Sequence, residues 1–173
     1  LFNFKTAADA LSHFISDKNI ALFTKHRIFT EVEMRSRHEI LVGIYNKTVH
    51  IEALTLMEMI KQDVIPACMF YIKDLTDIAV NKKTLGVPHD LESELIKRIS
   101  DLTGKLFTAV EKLEADEKKI SSHTDAEKAS FFHKDVVISD MKEIRLISDE
   151  LEKIVAGDYW PYPTYADLLF GVK

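Results

Sequence analysis

The chain has 173 residues, of which 46% are hydrophobic and 29% are charged, and its formal net charge is −5. This acidic balance gives no electrostatic reason to expect nucleic acid or an anionic membrane surface as a partner. No run of about 18 uncharged apolar residues is present, which argues against a helix that spans a membrane. The single cysteine, Cys68, excludes an internal disulfide and is typical of a reducing compartment, so we expect a cytoplasmic protein.

The first segment predicts two short helices. Glycine and proline, the residues that most often end helices, are scarce, with five and four copies. Such a chain is expected to be mostly helical, in long pieces. Thr6 can cap a short helix that runs to Ile15, and Ser16 or Asp17 can cap a second one over residues 20–25.

A long helix is predicted next, with an irregularity inside it. Thr30 and Glu33 have the spacing of a capping box, in which each side chain accepts a hydrogen bond from the backbone of the other residue. No strong stop signal follows until the loop Gly86-Val-Pro88, so the pattern predicts a helix over about residues 31–82. Pro66 must interrupt or bend this helix, because it lacks a backbone donor and crowds the preceding turn.

The segment 51–72 of this helix is apolar around most of its circumference. A helix that is apolar on all sides is normally surrounded by protein. We therefore predict that this segment is the central helix, and that a charge introduced at Leu54, Ile60 or Ile65 unfolds the bundle. The apolar residues of the segment include Leu54, Leu56, Met57, Met59, Ile60, Val64, Ile65, Cys68, Met69, Phe70 and Ile72.

A second long helix is predicted from Asp90, which can cap it, with Glu92 in the first turn to complement the helix dipole. Gly104 lies inside this helix, and a close contact with another helix would explain a residue that weakens helices. The apolar residues that form its stripe at helical spacing are Leu91, Leu95, Ile99, Leu102, Leu106, Val110 and Leu113.

A third long helix follows the predicted turn Ser121-Ser-His-Thr124. Thr124 and Glu127 again have the spacing of a capping box, and Gly157 is a suitable residue to end the helix. The predicted apolar stripe consists of Phe132, Val136, Met141, Ile144, Ile147 or Ser148, Leu151 and Ile154.

The chain closes with an aromatic segment that is unlike ordinary frayed termini. Pro161 and Pro163 favour an extended path, and Thr164 with Asp167 predicts a capped short helix through Leu169. Such a tail needs a surface to cover it, and we expect it to pack on its own bundle or on a neighbouring domain. The residues expected to lie along a groove are Tyr159, Trp160 and Tyr162, with Leu168, Leu169 and Phe170 as the anchor at the far end.

Together these elements predict an all-α fold, an antiparallel bundle of three to four long helices with the aromatic tail packed on it. We expect a single helical domain, residues 1–173. It would comprise short lead-in helices (1–27), the long-helix bundle (28–157) and the tail (158–173). Because the sequence does not begin with Met, we also expect it to be a fragment of a longer chain.

The charged run at the start of the long helix has a simple interpretation. Its side chains can pair along the helix at i,i+4 spacing, each pair contributing roughly 0.2–0.5 kcal/mol. A self-paired, solvated face is the favoured interpretation, and a ligand or subunit contact is the alternative. The pairs are Glu31–Arg35, Glu33–Arg37 and Arg35–Glu39.

No residue pattern points to catalysis. The seven histidines include no Glu-x-x-His, the spacing used in bundle-core metal sites. His38 and Glu39, like His50 and Glu52, point to different faces of a helix. Cys68 lies in the most apolar segment, which indicates core packing, and neither a phosphate-binding glycine loop nor a Gly-x-Ser-x-Gly motif is present. We therefore predict no catalytic, cofactor-binding or metal-binding residue in this chain.

Two parts of the chain resemble one known family. The first comprises Phe29-Thr-Glu-Val-Glu-Met-Arg-Ser-Arg-His-Glu-Ile-Leu41, Ile51-Glu-Ala-Leu-Thr-Leu-Met57 and Ile65-Pro-Ala67; the second is Tyr159-Trp-Pro-Tyr-Pro-Thr-Tyr-Ala-Asp-Leu-Leu-Phe170. They are similar to the C-terminal region and the ending of type III glutamine synthetases. The resemblance covers roughly residues 16–75 and 140–172, and between them only helix pattern and order agree. Ala166 departs from the family ending, where glycine is expected, which bears on tail packing alone.

The resemblance implies a parent enzyme that joins ammonium to glutamate with ATP and Mg²⁺ or Mn²⁺ and assembles into stacked hexameric rings. Its ligands for metal, nucleotide and glutamate would lie upstream, in a catalytic domain that this chain lacks. The chain would then be a non-catalytic domain for stability, assembly or regulation, in contact with its own catalytic domain and neighbouring subunits. The alternative is a free-standing adaptor that binds a partner helix in a groove. A bundle enzyme is less favoured because paired ligands are missing.

Overall fold

The computed structural model describes residues 4, 6–120 and 125–171, without the side chains of residues 165 and 166. No strand occurs in these ranges, which confirms the all-α prediction. No helix within them is both long enough and apolar enough to cross a membrane. The helices are α1 (Ala7–Phe14), α2 (Asp17–Lys25), α3 (Glu31–Met59), α4 (Ile65–Thr84), α5 (Asp90–Ile120), α6 (Ala126–Phe132), α7 (Ile138–Glu152) and α8 (Tyr165–Phe170), with π-helical turns π1 (Ile60–Val64) and π2 (His133–Val137).

The fold divides into two compact units. Unit 1 comprises Leu1–Leu54 and Glu114–Ser139, and unit 2 comprises Thr55–Leu113 and Asp140–Lys173. Each unit has its own buried apolar residues, so each has a core. In unit 1 these include Ala8, Met34, Val42, Val49, Ala53, Ala129 and Val137, and in unit 2 Ile60, Val64, Cys68, Ile99, Leu106, Val110, Leu113, Ile144 and Leu151. The antiparallel arrangement of the long helices stays a prediction.

The predicted helix starts near the N-terminus are confirmed. Thr6 caps α1, accepting a hydrogen bond from the backbone N–H of Asp9. Ser16 occupies the cap position of α2 but makes no side-chain capping bond. The Thr30 N–H donates to Glu33 Oε2 at 2.8 Å, and the Glu33 N–H donates to Thr30 Oγ1 at 3.3 Å. This reciprocal pair is a capping box, and it fixes the start of α3.

The irregularity predicted at Pro66 takes the form of a π-helical turn. The helix continues through π1 into α4, where Pro66 is the second residue, and the Ile65 N–H bonds to the carbonyl of Ile60. A π-helical turn spaces its hydrogen bonds one residue wider than an α-helix. The regular bonding pattern is thus interrupted just before the residue that cannot donate, while the bend itself stays a prediction.

The prediction of a fully surrounded segment 51–72 is wrong within this chain. Met57, Ile60, Val64 and Cys68 are buried, but Met69 and Phe70 in the same segment are largely exposed. Ile51 and Leu54 are also exposed. The apolar residues therefore serve two purposes, since one side builds the core and the other faces solvent.

Helix α5 follows the prediction in its second half. Ile99, Leu106, Val110 and Leu113 are fully buried, whereas Leu91 near the start is exposed. The helix begins at Asp90 itself, which makes Asp90 the first helical residue rather than the cap. A Cβ atom at Gly104 would meet nothing within 4 Å, so the predicted close helix contact is wrong.

The start of the next helix differs from the prediction by one residue. Asp125 is the N-cap of α6, with Oδ1 accepting from the N–H groups of Glu127 and Lys128. The predicted turn 121–124, including Thr124, lies outside the described residues. The π2 turn then shifts the buried stripe from Phe132 and Val136 to their successors His133 and Val137.

The end of α7 also corrects the prediction. The helix ends at Glu152, and the Val155 N–H still bonds to the Leu151 carbonyl in the turn that follows. Gly157 therefore lies beyond the helix, and its φ is not in the left-handed region. Among the described glycines only Gly86 has a positive φ, 71°, where the chain leaves α4 in the loop that the sequence predicted.

Candidate functional site

The tail is held on unit 2 by two tyrosine hydroxyls. The Tyr159 hydroxyl donates to Asp74 Oδ2, and the Tyr162 hydroxyl donates to Asp63 Oδ2. The ring of Tyr159 also lies 5.1 Å from the ring of Tyr71. Asp63 and Asp74 are eleven residues apart, about three helical turns, so they lie on one face of the π1–α4 helix. The prediction that this part of the tail packs on its own domain is confirmed.

These hydroxyls do not change protonation near neutral pH. Burial, followed by the hydrogen bond to Asp63, raises the pKa of Tyr162 to about 12. The hydrogen bond to Asp74 is the main cause that raises the pKa of Tyr159. A phenol whose pKa lies above its ordinary value stays protonated and continues to donate. Both hydroxyls therefore remain donors near neutral pH, and we refer to their two contacts with Asp63 and Asp74 as the latch.

The far end of the tail is ordered locally but not covered. The Thr164 N–H donates to Asp167 Oδ2 at 2.9 Å and the Asp167 N–H to Thr164 Oγ1 at 3.2 Å, which confirms the predicted capping box of α8. Leu168, Leu169 and Phe170 are 71–80% exposed. They do not anchor the tail within this chain, where the anchoring contacts come from the two tyrosines; contact with a neighbouring domain stays a prediction.

A shallow groove lies beside this latch. Its chemistry consists of carboxylates, prolines and aromatic rings. Carboxylates repel phosphate groups, and no lysine or arginine lines the groove to offset that repulsion. It is therefore unsuited to ATP. The groove is lined by Gln62, Asp63, Pro66, Ala67, Phe70, Asp74, Asp158, Tyr159 and Pro161.

Unit 1 contains a buried polar cluster around His133. His133, in π2, and Glu117, in α5, are both more than nine-tenths buried. Glu117 Oε2 lies 2.6 Å from Nδ1 of His50, and its Oε1 lies 3.9 Å from Nε2 of His133. Neither Glu117 Oε1 nor His133 Nε2 has a hydrogen-bond partner among the described residues. The cluster therefore contains two buried polar atoms that face each other without a hydrogen bond.

The neighbours of His133 indicate which ring nitrogen carries the hydrogen. Its Nδ1 lies 3.0 Å from the carbonyl oxygen of Ala129 and 3.2 Å from Oδ1 of Asn46. The amide of Asn46 is oriented by its own Nδ2, which donates to the carbonyl of Ala126 at 2.9 Å. Because Nδ1 faces two acceptors, it carries the hydrogen, and Nε2 of the neutral ring presents a lone pair to Glu117. Burial is the main cause that lowers the pKa of His133, and the charge of Glu117 opposes it.

The stability of the chain should therefore depend on the protonation of His133. Its pKa is lower in the folded state than the ordinary value of about 6.5 in the unfolded chain. The unfolded state thus binds more protons, and the contribution of neutral His133 is lost as the pH falls below about 6.5. We expect His133→Gln to melt well below wild type at about pH 8, with a smaller difference at about pH 5. Thermal melts across this range measure the effect.

His26→Gln provides the matched control, since His26 is exposed at the end of α2. This variant should melt in parallel with wild type at every pH. A constant difference between His133→Gln and wild type across the range would contradict the role of His133 protonation.

The remaining buried charges are paired and act structurally. Lys112 Nζ lies 2.7 Å from Asp140, and Lys82 bonds to the buried Glu92. The hydrogen bond from Lys82 is the main cause that lowers the pKa of Glu92. The acidic residue in the first turn of α5 thus has a specific partner besides the helix dipole proposed from sequence.

The other candidate residues also have structural roles. Arg35 pairs with Glu31 at 2.8 Å, as predicted, with both side chains more than half exposed. Arg37 lies over the ring of Phe29, 4.6 Å from its centroid. Cys68 is fully buried, which confirms its predicted core position, and burial raises the pKa of its thiol. A buried thiol with a raised pKa is a poor nucleophile.

The side chains in the described ranges do not fit a metal or nucleotide. No group of three His, Cys, Asp or Glu side chains in those ranges could hold a metal ion.

Comparison with known proteins gives a consistent relationship. Residues 1–83 match the family described as "Glutamine synthetase C-terminal domain". The chain is 38% identical to the "Glutamine synthetase" of Butyrivibrio fibrisolvens, over 99% of this chain and 25% of that protein. It is 34% identical to the "Type-3 glutamine synthetase" of Dictyostelium discoideum, over 98% of this chain and 24% of that protein. The chain thus spans about a quarter of the length of these curated relatives.

A third relative agrees with the first two. The "Glutamine synthetase" of Bacteroides fragilis (strain YCH46) is 28% identical over 98% of this chain and 24% of that protein. The similarity therefore runs through both units and is not limited to residues 1–83.

Proposed function

We propose a non-catalytic role within a larger enzyme for this chain, which belongs to the glutamine synthetase C-terminal domain family. The observation that carries the proposal is the extent of the similarity, which covers 99% of this chain but only 25% of the relative. The parent would be a type III enzyme that joins ammonium to glutamate with ATP and Mg²⁺ or Mn²⁺. The catalytic residues would lie in the part of the parent outside these residues.

The chemistry of the described residues supports an absence of catalytic, cofactor-binding and metal-binding residues here. The buried carboxylates of Asp140 and Glu92 are each paired with a lysine, Lys112 and Lys82 respectively. The groove beside the tail presents Asp63, Asp74 and Asp158 but no lysine or arginine. Such a surface favours contact with protein over binding of a phosphorylated substrate.

We further propose that residues 1–173 act as one domain in stability and subunit assembly. Helices α3 and α5 each contribute residues to both compact units, which supports joint folding. Short lead-in helices (1–27), the helical bundle (28–157) and the tail (158–173) are its parts. Exposed apolar side chains such as Phe70 and Phe170 support contacts with the catalytic domain and neighbouring subunits. A ring-shaped homo-oligomer in the cytoplasm is the proposed setting.

The proposal predicts that substrate binding is absent from this chain. The 173-residue chain should show no saturable heat when titrated with ATP and Mg²⁺, because it has no site to hold them. The full-length parent, titrated in the same way, should bind both and form glutamine in a coupled assay. Submillimolar binding to the isolated chain, or a parent gene product that forms no glutamine, would contradict the proposal. In the latter case the adaptor interpretation becomes the better one.

A further inference from the structure

Helix α3 carries two apolar stripes on opposite sides. One stripe is buried and includes Met34, Val42, Val49 and Ala53. The other consists of Ile40, Ile44, Ile51 and Leu54, which are 46–61% exposed. At about 100° of rotation per residue, the second stripe lies roughly opposite the first. A helix that is apolar on both sides is normally covered on both sides.

The exposed stripe has the spacing of a helix-pairing seam. With Lys47 included, its members follow one another at intervals of 4, 3, 4 and 3 residues, the heptad spacing that keeps contacts facing one partner helix. It extends for about 21 Å along α3. Helices that bind in this way use anchors at i, i+4, i+7 and i+11. We refer to Ile40, Ile44, Lys47, Ile51 and Leu54 as the outer seam.

Gly43 leaves the border of this face open. It borders the outer seam in the middle of α3, where glycine weakens a helix relative to alanine. Its φ is not positive, and a Cβ atom built on it would meet nothing within 4 Å. Neither backbone conformation nor packing within the described chain therefore requires glycine here. A residue without a side chain leaves room at this point for the close approach of a second backbone.

The charge of Lys47 argues against a second copy of α3 as the partner. Residue 47 is the midpoint of 40 and 54, so an antiparallel pair with full apolar overlap places Lys47 against Lys47 of the other copy. A parallel pair in register does the same. Like charges at the centre of a seam select against that pairing. A partner with a carboxylate at the same level is complementary instead.

We propose that the outer seam binds an amphipathic helix from the remainder of the parent glutamine synthetase chain. This partner helix carries an Asp or Glu in the middle of its apolar stripe. The relatives are long enough to contain such a helix outside the region matched here, since this chain covers only about a quarter of their length. The inference rests on the proposed function because the partner belongs to the parent enzyme. It assigns the solvent-facing half of α3 as an interdomain or intersubunit contact.

The test is site-specific photo-crosslinking in the full-length parent. A photo-reactive phenylalanine analogue replaces Ile44, and the matched control carries it at Glu52. Glu52 is exposed and lies about 80° around the helix from Ile44 and about 120° from the centre of the outer seam. We expect the Ile44 position to crosslink several-fold more than the control, to a peptide outside the 173 residues that contains an acidic residue. No excess over the control, or a crosslink to α3 of a second copy, overturns the proposal.

Charge reversal tests the choice of partner. Lys47→Glu should reduce the crosslink several-fold, whereas Lys47→Met should preserve it, because only the former opposes the carboxylate. An acid-to-lysine change in the identified peptide should restore the crosslink of Lys47→Glu. If the Lys47→Glu variant crosslinks as strongly as the chain with Lys47, the proposed acidic residue in the partner helix is wrong. Glutamine formation is measured in the same preparations. An active enzyme that shows no crosslink refutes the outer seam but not the proposed function. A crosslink in an inactive enzyme refutes the proposed function but not the outer seam.

Discussion

Replacing Ile60 with Asp should unfold the chain at temperatures at which wild type remains folded. Ile60 is 3% exposed within the π1 turn. A carboxylate placed there would be buried without a partner, at a cost of several kcal/mol. This is a large part of the roughly 5–15 kcal/mol by which domains are stable. Thermal melts followed by circular dichroism measure the effect.

Two variants control for the position of the charge. Arg35→Ala should lower stability by less than about 1 kcal/mol, because it removes one exposed ion pair. Leu54→Asp should destabilise the chain far less than Ile60→Asp, since Leu54 is 46% exposed, which corrects the sequence-based expectation for that residue. If Ile60→Asp melts like Arg35→Ala, the assignment of π1 to the core is wrong. Two separate transitions in wild type would contradict the single-domain proposal.

Deleting residues 158–173 should lower the melting temperature by roughly 5 °C or more. The deletion removes both tyrosine latches and the half-buried Trp160, and it leaves Asp63 and Asp74 without those donors. Emission from Trp160, the only tryptophan, should accordingly be blue-shifted and protected from quenchers in the intact chain.

A triple change of Leu168, Leu169 and Phe170 to Ser serves as the matched control. These side chains are exposed, so the variant should melt like wild type despite removing more apolar surface than the loss of one tyrosine. Water-like emission from Trp160, together with an unchanged melting temperature after deletion, would contradict the latch.

Features that depend on a few adjacent residues were predictable from sequence. The capping boxes at Thr30–Glu33 and Thr164–Asp167 are examples, because both partners lie within one helical turn. The buried stripe in the second half of α5 was predictable for the same reason, since helical spacing alone aligns it. These features reflect local geometry and do not require knowledge of the tertiary fold.

Features that depend on distant partners were not predictable in the same way. His133 and Asp140 occupy core positions, yet a search for apolar residues at helical spacing does not select them. Their neighbours Glu117 and Lys112 come from another helix. The π2 turn also moves the buried stripe by one residue, from Phe132 and Val136 to His133 and Val137. A signal for the tail was present, however: Asp63 and Asp74 are eleven residues apart and share a helix face.

The stop predicted at Gly157 failed for a different reason. Glycine favours a helix end when the backbone takes the left-handed conformation there, and Gly157 does not adopt it. The chain had already left α7 at Glu152. The residue type permitted a helix end at Gly157 without requiring one.

The tail contacts reduce the conformational entropy that α8 loses when a partner binds to it. Two hydroxyl contacts fix the chain before Pro163, proline restricts the backbone, and the capping box orders the first turn of α8. Much of the conformational freedom of this segment is thus lost when the chain folds, rather than when a partner arrives. A surface that covers Leu168, Leu169 and Phe170 meets a preorganised motif, so that more of its contact energy appears as affinity.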